Sequence, residues 1–238
     1  MEILDAIKRF PWLKEILHEF SREQLAQIKL RRFKPNDMML EHCGTNYYTF
    51  ILLSGVCCTC QNLENGVRFV LRKATVGDVV GFAGIYHETL ETPAQIVART
   101  SVTAAVLPQP LVQECFGKYP DFSMQISQRV IKRLQSLVNL FSECNNYPSY
   151  LGLVTYLEYN YRFYAKSYPA HYDGQVRIVE SQKNIADFLG VDVRSVQRLL
   201  ARMKEEGLVS VSSRNLYIDQ AQHRALQELR CNWFLQDH

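Results

Sequence analysis

The chain has 238 residues, 47% of them hydrophobic and 21% charged, the composition of an ordinary globular protein with one large domain or two modest ones. Its formal net charge of +3 permits binding to nucleic acid but leaves no lopsided basic footprint, so any affinity for DNA must come from where the cations sit. No apolar run approaches the roughly 20 residues of a membrane span. Met1 to Phe20 alternates apolar and charged residues, which suits short amphipathic helices and not a signal peptide, so a cytoplasmic protein is expected. Seven cysteines without a regular spacing are then expected to be reduced thiols.

Short strands are expected from Phe33 to about Pro108. Tyr48 to Leu53 is a β-branched and aromatic run that ends at Ser54-Gly55, and Val56 to Gln61 follows. A turn at Glu64-Asn65-Gly66 leads into Val67 to Lys73, and Asn-Gly between two strand-like runs is a strong hairpin signal. Gly77-Asp78 marks another turn before Val79-Val80-Gly81, and Ala98 to Leu107 reads as a further strand. Many short strands with glycine-bearing turns predict a small all-β barrel or roll.

The character changes after Pro108. From about Asp121 to Cys144 no Pro or Gly occurs, and a long helix is expected. Ile126, Val130, Leu134, Leu137 and Phe141 step by 4, 4, 3 and 4 positions, close to a coiled-coil seam, and this predicts a homodimer. The same spacing is compatible with a helix packed on its own domain. Pro148 interrupts, a tyrosine-rich helix follows through Leu151, Val154 and Leu157, Pro169 to Gly174 is a loop, and Val176 to Val179 a short strand.

The carboxy-terminal segment carries the clearest signal. Ser181 is a good cap for a helix from Gln182 to Leu189, and Gly190 ends it. Asp192 can cap a second helix from Val193 to Glu206, which Gly207 terminates. Ile185, Ala186, Leu189, Val196 and Leu199 supply a shared core, so the pair reads as a helix-turn-helix. Leu208 to Val211 and Asn215 to Ile218 would form a two-stranded wing around Ser212-Ser213-Arg214.

On the second helix Arg194, Ser195, Gln197 and Arg198 lie near the amino-terminal end, where a recognition helix meets base edges; Arg suits guanine and Gln suits adenine. Arg202 and Lys204 are placed for phosphates. The alternative for the same residues is a solvated face of a winged-helix module that binds protein. Cys57, Cys58 and Cys60 alternate along a strand, Cys58 and Cys60 to one side and Cys57 to the other, so they read first as small buried hydrophobes and not as a shared metal site. His42 with Cys43, and His87, are the candidate metal or haem ligands. No GxSxG, P-loop or HExxH motif occurs, and no group of histidines suggests a cupin-like enzyme, so no catalysis is expected.

With these residues in view, the chain resembles the CRP/FNR family of bacterial transcription regulators over nearly its whole length. The resemblance is carried by FILLSGVCCTC (Phe50 to Cys60), ENGVRFVLRKATVGDVVG (Glu64 to Gly81) and SQKNIADFLGVDVRSVQRLLARMKEEGLV (Ser181 to Val209). It implies an α+β chain in three parts. Residues 1–118 would form a β-roll (double-stranded β-helix) sensor domain of the cyclic-nucleotide-binding type, 119–146 a dimerisation helix, and 147–238 a winged helix-turn-helix. Implied partners are double-stranded DNA bearing an inverted repeat, a second copy of the chain, and RNA polymerase as a candidate.

The resemblance places an effector pocket at Phe82, Ala83, Gly84, Tyr86 and Thr92, with Ser136 reaching in from the dimer helix. Cyclic-AMP-responsive members carry a Gly-Glu pair and then an Arg-Ser pair there. This chain has Phe82 in place of the carboxylate and Thr92 in place of the arginine, so a small-molecule effector other than cyclic AMP is expected. No cysteine precedes Cys43, against the amino-terminal cysteine group of the iron–sulfur members. Haem-, metal- or redox-responsive control stays open, as does a sensor module that acts through a protein partner.

Overall fold

The computed structural model describes residues 2–40, 48–62, 68–82, 94–166, 174–212 and 215–236. The expected residues His42, Cys43, Ala83, Gly84, Tyr86, His87 and Thr92, and the turn Glu64-Asn65-Gly66, lie outside them. The chain divides into two compact units, 1–134 and 135–238.

The first unit opens with α1 (Ile3–Arg9), α2 (Pro11–Leu17) and α3 (Arg22–Gln27). Pro11 sits at the first turn of α2, where its missing N–H costs nothing. Ser21 and Gln24 cap α3 reciprocally: the Gln24 amide donates to Ser21 Oγ at 3.2 Å and the Ser21 amide to Gln24 Oε1 at 2.9 Å.

The strands follow as β1 (Lys29–Phe33), β2 (Met38–Leu40), β3 (Tyr48–Ser54), β4 (Cys57–Asn62), β5 (Arg68–Ala74), β6 (Val79–Val80), β7 (Ala94–Ala98) and β8 (Val102–Pro108). They pair into two four-stranded sheets, in the orders β1-β8-β3-β6 and β2-β7-β4-β5, with antiparallel pairing throughout the described residues. The stretch Ala98 to Leu107, expected as one strand, is two: it breaks at 99–101, where the chain passes from one sheet to the other. Gly55 serves that crossing. Its φ is +81°, and a Cβ there would lie 2.1 Å from the Ser101 carbonyl oxygen. Thr100 Oγ1 accepts the Val56 amide at 2.9 Å beside it.

Alternation along β3 and β8 builds two cores at once. Phe50, Leu52, Ala104 and Val106 face the second sheet and meet Cys57, Ala74, Ile96 and Ala98. Ile51, Leu53, Ala105 and Leu107 face the helices and meet Leu13, Ile16, Leu17, Leu111, Val112, Phe122 and Ile126. The last four come from α4 (Gln109–Lys118) and α5 (Pro120–Asn146). Within this unit α5 is tied to the roll by Arg133, whose guanidinium donates to the Lys73 carbonyl at 2.9 and 3.1 Å and pairs with Asp78 at 3.6 Å.

The second unit holds the end of α5, then α6 (Ser149–Ala165), β9 (Val176–Ile178), α7 (Gln182–Leu189), α8 (Val193–Glu205), β10 (Ser210–Ser212), β11 (Asn215–Ile218) and α9 (Gln220–Gln236). Gly152 allows α6 to pass close to α5, since a Cβ there would stand 2.5 Å from the Cys144 carbonyl oxygen. The wing is a three-stranded sheet, β10-β11-β9, one strand more than the sequence reading paired. Between α6 and α9 lies the buried carboxylate of Glu158, with Arg162 at 2.8 Å, Arg230 at 3.1 Å and His223 Nε2 at 3.4 Å. Arg230 also reaches Glu143 on α5 at 3.0 Å. No helix among the described residues is long and apolar enough to cross a membrane.

Candidate nucleic-acid interface

The helix-turn-helix is set by its caps. Ser181 Oγ accepts the Asn184 amide at 3.1 Å and starts α7. Gly190 ends α7 at φ 64°, ψ 29°, a left-handed conformation that suits glycine, with the Val191 amide donating to Ala186 O at 3.1 Å. Two residues on, Asp192 starts α8. Its carboxylate accepts the Ser195 amide at 2.9 Å and the Ser195 hydroxyl at 2.7 Å. These hydrogen bonds, the hydroxyl's first, hold the Asp192 carboxyl below its ordinary range. Ser195 is thus committed to the cap.

Ile185, Ala186 and Leu189 of α7 are buried, as are Val196, Leu200 and Met203 of α8. Leu199, expected in that core, is only half-buried. The 3.6-residue period decides what faces outward. With Val196, Leu200 and Met203 inward, Arg194 and Arg198 stand one turn apart on the opposite face, and both are exposed. Gln197 and Lys204 flank them on one side and Arg202 on the other, all three exposed.

Two of these side chains have partners that the sequence did not reveal. Gln197 Nε2 donates to Gln182 Oε1 in the first turn of α7 at 3.1 Å, which fixes the direction of its amide. Arg202 is held more firmly. Its Nε lies 2.7 Å from Glu206 Oε1, and its guanidinium rests 4.4 Å from the centroid of the Tyr150 ring. The Tyr150 hydroxyl donates to the other oxygen of Glu206. The effects are mutual: burial and the Glu206 hydrogen bond push the Tyr150 hydroxyl up to about 12, while Tyr150 and Arg202 pull the Glu206 carboxyl down. Arg202, read from sequence as a phosphate contact, is occupied in anchoring the end of α8.

Lys183 at the start of α7 and Arg177 on β9 add exposed cations that the sequence reading passed over. Arg177 reaches across the sheet to Asn215 Oδ1 at 2.6 Å, beside the wing. Only their position in the folded sheet and turn marks them.

The residues expected to form a dimer seam do not share one exposed face of α5. Ile126 is fully buried in the core of its own unit, and Val130 packs partly against that core. Leu137 is half-buried, whereas Leu134 and Phe141 are exposed. The exposed apolar residues of α5 are Met124, Ile131, Leu134, Val138 and Phe141, each more than half exposed. They step by 7, 3, 4 and 3 positions, a heptad stripe. Phe141 also meets Phe188 of α7 edge-on, 5.8 Å between centroids.

Of the expected effector pocket, Phe82 and Ser136 are described. The Phe82 ring packs against the helix-side core, 5.1 Å from Phe116. Ser136 is exposed on α5. The cysteine run alternates as read: Cys57 joins the core between the sheets, and Cys58 and Cys60 lie on the other face with Val97. Among the described residues no three His, Cys, Asp or Glu side chains gather as a metal site would.

Comparison with known proteins finds one matching family model within each unit. A family model described as a cyclic nucleotide-binding domain matches residues 30–119, and one described as a Crp-like helix-turn-helix domain matches residues 153–229. The chain is 25% identical to the anaerobic regulatory protein of Pasteurella multocida, over 85% of this chain and 74% of that one. It is 23% identical to the cAMP-activated global transcriptional regulator CRP of Salmonella typhimurium, over 77% of this chain and 87% of that one. The solved structure of FixK2 from Bradyrhizobium japonicum shares the fold with a TM-score of 0.64 at 15% identity, covering 85% of this chain and 96% of that one. The sensor-type roll, the long helix and the capped helix-turn-helix therefore have one explanation: the chain belongs to the CRP/FNR family of DNA-binding transcription regulators.

Proposed function

We propose that the protein is an effector-controlled dimeric regulator that binds an inverted-repeat promoter site, with Arg194, Gln197 and Arg198 reading bases and Lys204, Lys183 and Arg177 on phosphates. The observation that carries this reading is the outward pair Arg194 and Arg198, set opposite the buried face of α8. A guanidinium suits the two acceptors of guanine in the major groove. The Met124–Phe141 stripe supports a two-fold dimer, because its apolar side chains are exposed in a single chain and a partner helix would bury them. The effector is a small molecule other than cyclic AMP, on the strength of Phe82 and Thr92 at the carboxylate and arginine positions. A fluorescence-anisotropy titration against promoter DNA at several salt concentrations tests the reading. Saturable binding at two chains per site, weakening steeply with salt, is expected. Equal affinity for every sequence would overturn it.

A further inference from the structure

The sulfurs of Cys58 and Cys60 lie 3.2 Å apart on one face of β4. Both are buried, at 1% and 2% exposure, and among the described residues they share a small cluster with Val97 and the half-buried Val70. The pairing of β4 with β7 is regular through this stretch, so the two side chains lean toward each other from alternate positions of an ordinary strand. On the other side β5 carries an irregularity opposite Thr59 and Cys60, where Arg72 and Val70 are the successive partners and Leu71 is left over. A bulge of that kind adds local twist.

Strand rise separates alternate Cα atoms by roughly 6.4–6.8 Å, the upper edge of the ~4.4–6.8 Å that disulfides span. Closing the present gap to the ~2.05 Å of a disulfide needs a shift of about an ångström shared by two side chains. A bridge at the stretched end of the span is readily reduced again. The thiols also differ in role. The hydrogen bond to Cys60 and then burial push the Cys58 thiol far above its ordinary value, so Cys58 keeps its proton. The first attack is therefore assigned to Cys60.

We propose that Cys58 and Cys60 are a redox-active dithiol of the sensor domain, closed by hydrogen peroxide into a disulfide within β4. Cys60 loses its proton and attacks one peroxide oxygen; the O–O bond breaks and the leaving oxygen departs as water, leaving a sulfenic acid on Cys60. Cys58 then attacks that sulfur, the S–O bond breaks, and the hydroxyl leaves with the Cys58 proton as a second water. The two thiols surrender two electrons and two hydrogens, and one hydrogen peroxide is reduced to two waters. The site belongs to the first unit, and its chemistry stands whether or not the DNA reading does.

The test is intact-mass spectrometry of the full-length protein after hydrogen peroxide treatment. A Cys231→Ser background is used, because Cys231 is exposed and would cross-link chains. The parent and its Cys57→Ala variant should lose two hydrogen atoms, regained with dithiothreitol. Cys58→Ala should instead gain one oxygen, trapped by dimedone as the Cys60 sulfenic acid, and Cys60→Ala should give no disulfide. Circular dichroism checks folding, with serine variants for any alanine variant that fails it. In the oxidised parent, tandem mass spectrometry should find no backbone fragments between residues 58 and 60. An unchanged parent mass, or a disulfide that persists in either single variant, would overturn the proposal.

Discussion

Ile126 and Ile131 lie on one helix and face opposite fates: Ile126 is fully buried in its own unit, while Ile131 is 60% exposed. The same residue type therefore marks an inner and an outer face of α5. Ile126→Ala should destabilise the folded chain by about 2–5 kcal/mol, as for other buried large-to-small changes. Ile131→Asp or Leu134→Asp should leave the melting of the monomer within about ±0.5 kcal/mol, as for surface changes, and should abolish dimerisation. Sedimentation velocity with thermal denaturation checks both, and a dimer that survives both aspartates removes the stripe from the interface.

This division also shows what the sequence made legible and what it did not. The helix-turn-helix was readable because its signals are local: Ser181, Gly190, Asp192 and Gly207 each act through bonds or backbone angles within a few residues. Which face of α5 stays exposed was not, because the helix carries two apolar stripes. Spacing alone does not say which one finds a core in its own chain. Ile126 and Val130 belong to the inner stripe, and only the packed helices α1, α2 and α4 reveal that. The division of 98–108 between two sheets was hidden for a like reason, since the crossing at Gly55 depends on a contact with Ser101, distant in sequence. The packing of Phe82 was hidden likewise, since its ring meets Phe116, distant in sequence.

Arg202 and Lys204 looked alike in the sequence and should now behave differently. Lys204→Ala should weaken binding to all DNA sequences and lower the slope of affinity against salt by about one. Arg202→Ala should leave that slope unchanged, since its charge is already matched by Glu206 and stacked on Tyr150. Tyr150→Ala should weaken binding about two- to fivefold by loosening the end of α8. A salt slope reduced equally by Arg202→Ala and Lys204→Ala would return Arg202 to the phosphates.

The winged domain should lose stability in mild acid through His223. Burial lowers its pKa from the ordinary 6.5, against the pull of Glu158, while Arg162 opposes the protonated form. Arg230 belongs to the same cluster. The neutral ring is favoured in the fold, stacked on Tyr161 at 4.1 Å. The unfolded chain then binds the proton more readily, so this contribution is complete above pH 6.5 and is lost as pH falls through the lowered folded value. His223→Phe keeps the stack and should flatten the pH dependence of melting across that window. An unchanged profile would assign the acid sensitivity elsewhere.

Cyclic AMP should not bind at physiological levels. Two charge-assisted hydrogen bonds are forfeited where Phe82 and Thr92 stand for a carboxylate and an arginine. At ~1.5–3 kcal/mol each, this amounts to about two to four powers of ten in affinity. Calorimetry that returned a micromolar dissociation constant would refute this.

The central claim is that a two-fold dimer reads DNA through the outward face of α8, and selection from randomised DNA tests it most directly. Wild-type protein should enrich an inverted repeat whose half-site centres lie ~34 Å apart, one helical turn. Arg198→Ala should keep the repeat but lose preference at one base pair per half-site, at a cost of ~1–3 kcal/mol. Failure of the wild-type protein to enrich any inverted repeat, or an Arg198→Ala preference identical to wild type, would contradict the account.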